Sequence, residues 1–332
     1  MVLRSRRKYL KYNPPSKALI MNLSPRFIGH SIGMRFRSLF CLVVVTCCLC
    51  FVSSLQAQRS LAFKFTAGGE NKLSVNTTTK IAMKYMGQDV ETTMQMDSGI
   101  SQYIDSVNTN GLAAITQKIT RLKLSVSGGP LGIKLAYDST AADSQDNPLS
   151  DVLAPIVGAE FGLSLSRQGE ISKFKAPADL LATLAKQPGS RAFGQMFSEA
   201  GFRNMVSQGS LNFPVKALNV GDQWKDQVVL TAGEFGETTV TIEYTYQGIV
   251  ELDDKMLDKI GMKMTTSIKP AKGATGSQLK ITEQSSEGLV YFDNAVGRLD
   301  HSTLKQMMTT EVIIGQNSIV QTVTTNVTTS MK

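Results

Sequence analysis

The sequence predicts a mainly β protein, built as a long antiparallel and strongly curved sheet, or half-barrel, with helices across its concave face. Three observations support this prediction. Apolar and polar residues alternate with period two over long segments, short turns rich in Gly and Asn separate these segments, and a helical period occurs only in an insert at about 149–205. Strands of this length need twist, curvature or partial closure in order to pack.

The basic balance of the chain lies in its first 57 residues, which hold nine Lys and Arg residues and no acid. Because the whole chain has a formal net charge of +8, residues 58–332 carry 8 − 9 = −1. A basic surface on the folded part is therefore not expected, and we predict no nucleic-acid partner.

Residues 34–57 have the pattern of a secretory signal peptide. Basic residues after Met34 precede an apolar run from Leu39 to Leu55, and Ala57-Gln58 is a suitable cleavage point. The run is short for a spanning helix, which needs about 20 apolar residues, although an uncleaved anchor is the alternative. We predict export to the periplasm or cell surface, with membrane contact only through this segment or transiently. Residues 1–33 form a basic extension, predicted to be disordered, before a second candidate start at Met34.

All four cysteines, Cys41, Cys47, Cys48 and Cys50, lie in this leader. Residues 58–332 therefore have no thiol for a disulfide, a metal site or a nucleophile. We expect a single domain over these residues that relies on its apolar core.

The first strand set begins with a predicted short strand at 61–65 and continues in the clean alternation from Leu73 to Tyr85. A second strand follows Gly87 and carries Val90, Met94 and Met96 on one face. In the next strand, Ile115 and Ile119 share one parity, whereas Leu122 and Leu124 share the other. A change of parity within one strand predicts a β-bulge.

The helical insert is predicted from a short helix near 149–157 and a helix over 177–187, which has Pro177 at its start and Pro188 beyond its end. Ser190 is a candidate cap of a further helix that carries Phe193, Met196 and Phe197. A second set of alternating segments follows the joint Phe213–Trp224 and runs to the end of the chain. Trp224, the only Trp, is predicted to plug one end of the core and to hydrogen-bond through its ring N–H.

Two motifs carry a resemblance to a known family. Pro214-Val-Lys, followed by Val220-Gly-Asp-x-Trp224, and the stretch Gly288–Leu299 resemble hallmarks of a family of exported bacterial proteins of unknown function. In this chain the spacing between Lys216 and Val220 is longer than the family pattern. The family is similar in shape to the LolA and LppX lipoprotein carriers, so the resemblance implies a curved antiparallel sheet with helices across its mouth. Shape alone does not establish function.

No motif points to catalysis, and we expect that the protein is not an enzyme and uses no cofactor or metal. His301 is the only His after residue 57 and lacks a recognisable nucleophile motif, so we interpret it as an ordinary strand residue. The acids Asp253, Asp254 and Asp258 lack the order of a calcium loop and are interpreted as a solvated turn.

An excess of Met on the alternating faces suggests a ligand site. Met side chains suit irregular apolar pockets, but they fill solid cores equally well. The candidate ligand-binding residues share these faces with aromatic neighbours: Met83, Met94, Met96, Trp224, Tyr244, Met262 and Met264. The first hypothesis is a cell-envelope protein that binds a lipid or another apolar ligand in a cup between the sheet and helices at 177–205. The alternative is a structural or interaction protein with a solid core.

Overall fold

The computed structural model describes residues 58–85, 87–141, 149–187, 198–208, 211–231, 237–269, 277–314 and 317–332. The predictions for the basic extension, the signal peptide and the segment Ser190–Phe197 lie outside these residues. Among the helices described, none is long and apolar enough to cross a membrane.

One antiparallel sheet of twelve strands makes up most of the described chain, in the order β6-β5-β3-β2-β1-β12-β11-β10-β9-β8-β7, with β4 paired to β3. The prediction of a mainly β, antiparallel fold is confirmed. The strands are β1 Glu70–Tyr85, β2 Gln88–Val107, β3 Ala113–Gly128, β4 Ile133–Asp138, β5 Glu160–Leu165, β6 Ile171–Lys175, β7 Gln223–Thr231, β8 Glu237–Leu252, β9 Lys255–Lys269, β10 Ser277–Asp293, β11 Arg298–Ile314 and β12 Asn317–Met331.

The predicted bulge in β3 is confirmed. Gly99 of β2 pairs with Arg121, and the next residue, Ile100, pairs with Ile119, which leaves Thr120 as the extra residue. The bulge lets the apolar side chains on both sides of Thr120 face the same way, although their sequence parity differs.

The helices are α1 Ser150–Leu153, continued by a 3₁₀ turn at Ala154–Ile156, α2 Ala178–Lys186 and α3 Glu199–Gln208. Helix α2 confirms the helix predicted over 177–187 and buries Leu180 and Leu184. These two residues pack with Phe161 of β5 and Phe202 of α3. The helices therefore cover the part of the sheet around β5.

The short strand predicted at 61–65 is wrong. Residues 61–66 have no strand assignment. They form an extended segment whose backbone bonds go to turns. The Phe63 N–H donates to the Arg167 carbonyl (2.7 Å) in the β5–β6 turn, and the Lys64 N–H donates to the Gly297 carbonyl (3.0 Å) in the β10–β11 turn. The alternation of Leu61, Phe63 and Phe65 indicates which way their side chains face. It does not show that the segment pairs with another strand.

These two hydrogen bonds show that the sheet is curled. In a flat sheet β5 and β11, the nearest strands of the two turns, would lie five strand positions apart, roughly 24 Å at about 4.8 Å per strand. Consecutive residues have Cα atoms only about 3.8 Å apart. The sheet must therefore curve until both turns reach the same extended segment. Helix α3 contacts both β6 and β7, the first and last strands in the order, and so lies between the two edges.

The end of the sheet that holds these turns is filled by a core, and we call it the closed end. Phe292 is fully buried, and its ring centroid lies 5.4 Å from that of Phe63 and 4.7 Å from that of Phe213. At Gly169, which has φ +93°, an added Cβ would lie 1.9 Å from the Leu211 carbonyl oxygen. Only glycine allows the β5–β6 turn to approach Leu211, just before the joint, this closely.

A buried ion pair fixes the start of the described chain to the closed end. The Asp258 side chain is fully buried and accepts bonds from the Arg59 guanidinium at 3.1 Å. The Tyr246 hydroxyl also donates to Asp258, at 2.7 Å. The Arg59 backbone forms a two-residue bridge with Leu218 of the joint. The hydrogen bond to Asp258 raises the pKa of Arg59, which keeps the guanidinium charged.

Candidate functional site: the inner face of the sheet

The register of the sheet defines one continuous face, which we call the inner face because the closed-end core packs against it. One row of directly opposed residues crosses ten strands. From β7 to β4 this row is Trp224, Tyr244, Met262, Gly288, Leu304, Val327, Thr77, Met96, Leu124 and Tyr137. Tyr244 and Tyr246 of this face cluster with Leu61 and Phe213. Residues far apart in sequence are therefore brought onto one surface.

The inner face has a covered half and a half that stays accessible. On β8 the inner residues Val240, Ile242, Tyr244 and Tyr246 are buried. On β1, β2, β3, β11 and β12 several inner residues are buried, among them Ile104, Ile115 and Leu122. The apolar inner residues that are only half-buried form a surface that we call the apolar wall: Val75, Ile81, Met83, Met94, Met96, Leu124, Val126, Leu304, Met308, Val323 and Val327. Soluble proteins rarely leave a large contiguous apolar surface accessible unless it binds something.

The apolar wall is also free of charge. Every inner-face position of β1, β2, β3, β11 and β12 is apolar, Gly or a neutral polar residue, as the pairing register shows. The outer positions of the same strands carry charges such as Lys80, Asp97, Lys123 and Lys305. Burying an unpaired charge is costly, so this surface suits an uncharged apolar group.

All seven predicted ligand residues lie on the inner face, but in two different settings. Met83, Met94 and Met96 belong to the apolar wall. Trp224, Tyr244, Met262 and Met264 lie on β7, β8 and β9, in or against the closed-end core. Their role in binding stays a prediction.

Trp224 and Tyr244 form a stacked pair with ring centroids 5.2 Å apart. The Trp224 ring N–H donates to the Asn212 carbonyl at 2.6 Å. Tyr244 is 1% exposed, and this burial raises the pKa of its hydroxyl group. These contacts fit the predicted role of Trp224 as a plug of the core.

The members of the apolar wall on β3, β11 and β12, including Leu124, Leu304 and Val327, were not predicted from the sequence. Their alternation was visible there, but alternation does not tell which strands the helices and the closed-end core leave uncovered. Met is also no guide by itself, since Met262 packs against the closed-end core whereas Met96 belongs to the apolar wall, although both are half-buried.

His301 lies on the outer face in a small polar cluster. Its ring stacks on Tyr291 with centroids 4.3 Å apart, and its Nδ1 is 2.8 Å from Asp300. Lys255 Nζ donates to Asp300 at 2.7 Å. Burial alone would raise the pKa of Asp300, but the bonds from Lys255 and His301 outweigh it and lower the pKa. The cluster is therefore a paired surface network on β11 and the β8–β9 hairpin.

The three acids considered as a cation site are not brought together as ligands. Asp253 and Asp254 form the β8–β9 turn with φ of 48° and 60°, whereas Asp258 is buried against Arg59. Across the ranges that the structure describes, no group of three or more His, Cys, Asp or Glu side chains could hold a metal ion.

A groove of about 580 Å³ lies over β1 to β4. It runs between two outer rows, one with Asn76, Asp97, Lys123 and Asp138. Its charges are paired: Arg121 with Asp97 at 2.6 Å and Lys123 with Asp138 at 2.6 Å. The bond from Lys123, with that from Thr140, lowers the pKa of Asp138 to about 2. The lining of the groove also includes Thr77, Met96, Leu124 and Tyr137, which belong to the row of opposed residues described above.

Comparisons with solved structures give low similarity values. A lipovitellin structure described by its lipid–protein interactions matches 81% of this chain at 11% identity with a TM-score of 0.44, and this chain spans only 25% of the lipovitellin chain. A Vibrio parahaemolyticus domain, named for outer-membrane lipoprotein sorting, matches 76% of this chain and 83% of its own at 9% identity, with a TM-score of 0.13. A DUF1329 family protein from Desulfovibrio piger has the same coverage, 10% identity and a TM-score of 0.13.

No curated protein matches the chain. A family model does match it, over residues 110–286, which is more than half of the 332 residues. The matched range includes the joint Phe213–Trp224 and ends before the Gly288–Leu299 motif. The expectation of a family of unknown function is thus confirmed, and the chain belongs to the family of unknown function DUF6263.

Proposed function

We propose that the protein is an exported cell-envelope protein that binds the acyl chain of a lipid, or a similar apolar ligand, on the inner face of its curled sheet. The observation that carries this proposal is the apolar wall, a charge-free surface that spans five strands and stays half-exposed. Export rests on the signal-peptide pattern of residues 34–57.

The chemistry of the wall suits a flexible hydrocarbon. Met83, Met94 and Met96 lie on neighbouring strands, and unbranched thioether side chains adapt to chains of varying shape. Hydrocarbon burial contributes about 25 cal/mol per Å² of apolar surface removed from water. A charged headgroup has no partner on the wall, so it would remain at the solvent-facing end.

Two neighbouring substitutions in β2 are expected to differ in their effect on ligand affinity. Met96→Glu places a carboxylate on the apolar wall and is expected to weaken binding of a pyrene-labelled monoacylglycerol at least tenfold, about 1.4 kcal/mol. Gln95→Glu places the same charge on the exposed outer face of the same strand and should leave binding within twofold. Fluorescence titration of residues 58–332 measures both affinities, and circular dichroism checks the fold.

Equal loss in both variants would argue against the inner face as the site. If the unsubstituted protein binds no probe, the result supports the alternative of a structural or interaction protein. Cross-linking in cells should then trap a specific protein partner.

A further inference from the structure

The pairing between β9 and β10 is interrupted within the sheet. The two strands have 15 and 17 residues. Their backbone ladder joins only Asp258–Met262 to Gly288–Phe292. On its other side β9 pairs with β8 along its whole length, and β10 likewise pairs with β11. Of the ladders that β9 and β10 form, only the one between them is incomplete in this way.

Beyond Gly288, side chains take the place of backbone partners. The Met264 N–H donates to Ser286 Oγ, which in turn donates to the Met264 carbonyl at 3.0 Å. The Thr266 N–H donates to Gln284 Oε1 at 2.7 Å, and Gln284 Nε2 donates to the Thr266 carbonyl at 2.9 Å. We call these four residues the seam. Inserted side chains hold the two backbones farther apart than the usual strand spacing of about 4.8 Å.

We expect β9 and β10 to separate more easily at the seam than two strands joined by an ordinary backbone ladder. The bonds of the seam depend on the rotamers of two side chains, which rearrange without breaking the pairing of either strand to its other neighbour. Next to the seam, the pairing of β10 with β11 shifts its register between Ile281 and Glu283, so this part of β10 is already irregular. By contrast, β11 and β12 are joined by a continuous ladder from His301–Ser330 to Ile314–Asn317.

The seam also leads to the inner face. Met264 lies on that face beside Met262 in the next row, and both pack against the closed-end core. A gap between β9 and β10 would therefore connect the outside of the sheet directly with its apolar interior.

We propose that the seam is a lateral portal, through which the acyl chain of a neutral lipid passes between β9 and β10 to reach the inner face. This inference rests on the proposed function, because it specifies the entry route to that same site.

A cross-link over the seam tests the portal. Residues 58–332 contain no cysteine, so pairs can be introduced cleanly. Thr265→Cys with Ser285→Cys places exposed thiols on the two strands beside the seam. Thr303→Cys with Thr328→Cys, directly opposed on β11 and β12, is the matched control. A short bis-thiosulfonate reagent joins each pair, and reductant releases it.

Uptake of the pyrene-labelled monoacylglycerol is followed by stopped-flow fluorescence. The seam cross-link is expected to slow uptake at least tenfold, with full recovery after reduction, whereas the control cross-link changes the rate less than twofold. An unchanged rate in the cross-linked seam would overturn the portal but not the proposed function, since binding persists. No binding in the uncross-linked protein would overturn both.

A second variant removes the bridges themselves. Gln284→Ala combined with Ser286→Ala is expected to speed uptake at least threefold. Thr303→Ala with Thr328→Ala, on the exposed outer face of continuously paired β11 and β12, should leave the rate within twofold. A slower or unchanged rate in the seam variant of a folded protein contradicts the portal.

Discussion

Replacing Phe292 with alanine is expected to lower the free energy of unfolding by about 3–5 kcal/mol, the range for removing a buried aromatic ring. Phe292 is fully buried and packs edge-on against Phe63 and Phe213. These three rings come from β10, the extended segment and the joint, so the cavity would lie where the curl of the sheet is fixed. Urea denaturation of residues 58–332 measures the loss as a lower midpoint.

Leu131→Ala is the matched control, because Leu131 is 87% exposed in the β3–β4 turn. Its effect should stay within about 0.5 kcal/mol. A loss below about 1 kcal/mol for Phe292→Ala would contradict the role assigned to the closed-end core.

Arg59→Met is expected to lower the free energy of unfolding by roughly 2–4 kcal/mol. Removing one partner of a buried ion pair costs about 3–5 kcal/mol, and we place the effect lower because Arg59 is 34% exposed. The variant leaves the fully buried Asp258 carboxylate with the Tyr246 hydroxyl as its described side-chain partner. Thermal or urea unfolding measures the change.

Arg121→Met provides the comparison, because it breaks an ion pair with Asp97 in which both side chains remain about one-third exposed. Such pairs contribute about 0–1 kcal/mol. If the two arginine variants lose the same stability, the extended segment is not held by the buried pair in the way that the structure indicates.

Much of the fold could be predicted because strand alternation is a local property. The parity change between Ile119 and Leu122 predicted the bulge at Thr120, and Pro177 with Pro188 bounded helix α2. These signals depend on neighbouring residues, so one sequence contains them in full.

Long-range features could not be predicted in the same way. Arg59 and Asp258 are 199 positions apart, and no local pattern links them. The segment with Phe63 alternates like a strand, yet its backbone bonds go to two turns of the curled sheet. The division of the inner face also depends on tertiary packing, which covers Tyr244 and leaves Met96 accessible.

The same reason explains the seam. Ser286 and Gln284 have no unusual sequence context, and a polar residue on an alternating strand normally indicates a solvated face. Only the register shows that their side chains bond to the backbone of β9 in place of a ladder.

Native mass spectrometry of the protein purified from its own host tests the central claim most directly. If the apolar wall binds an acyl chain, the folded protein should carry an added mass that organic solvent extracts and that is identified as a lipid. That mass should be lost in Met96→Glu and kept in Gln95→Glu. Detection of only the mass of the bare polypeptide chain in every preparation would contradict the claim.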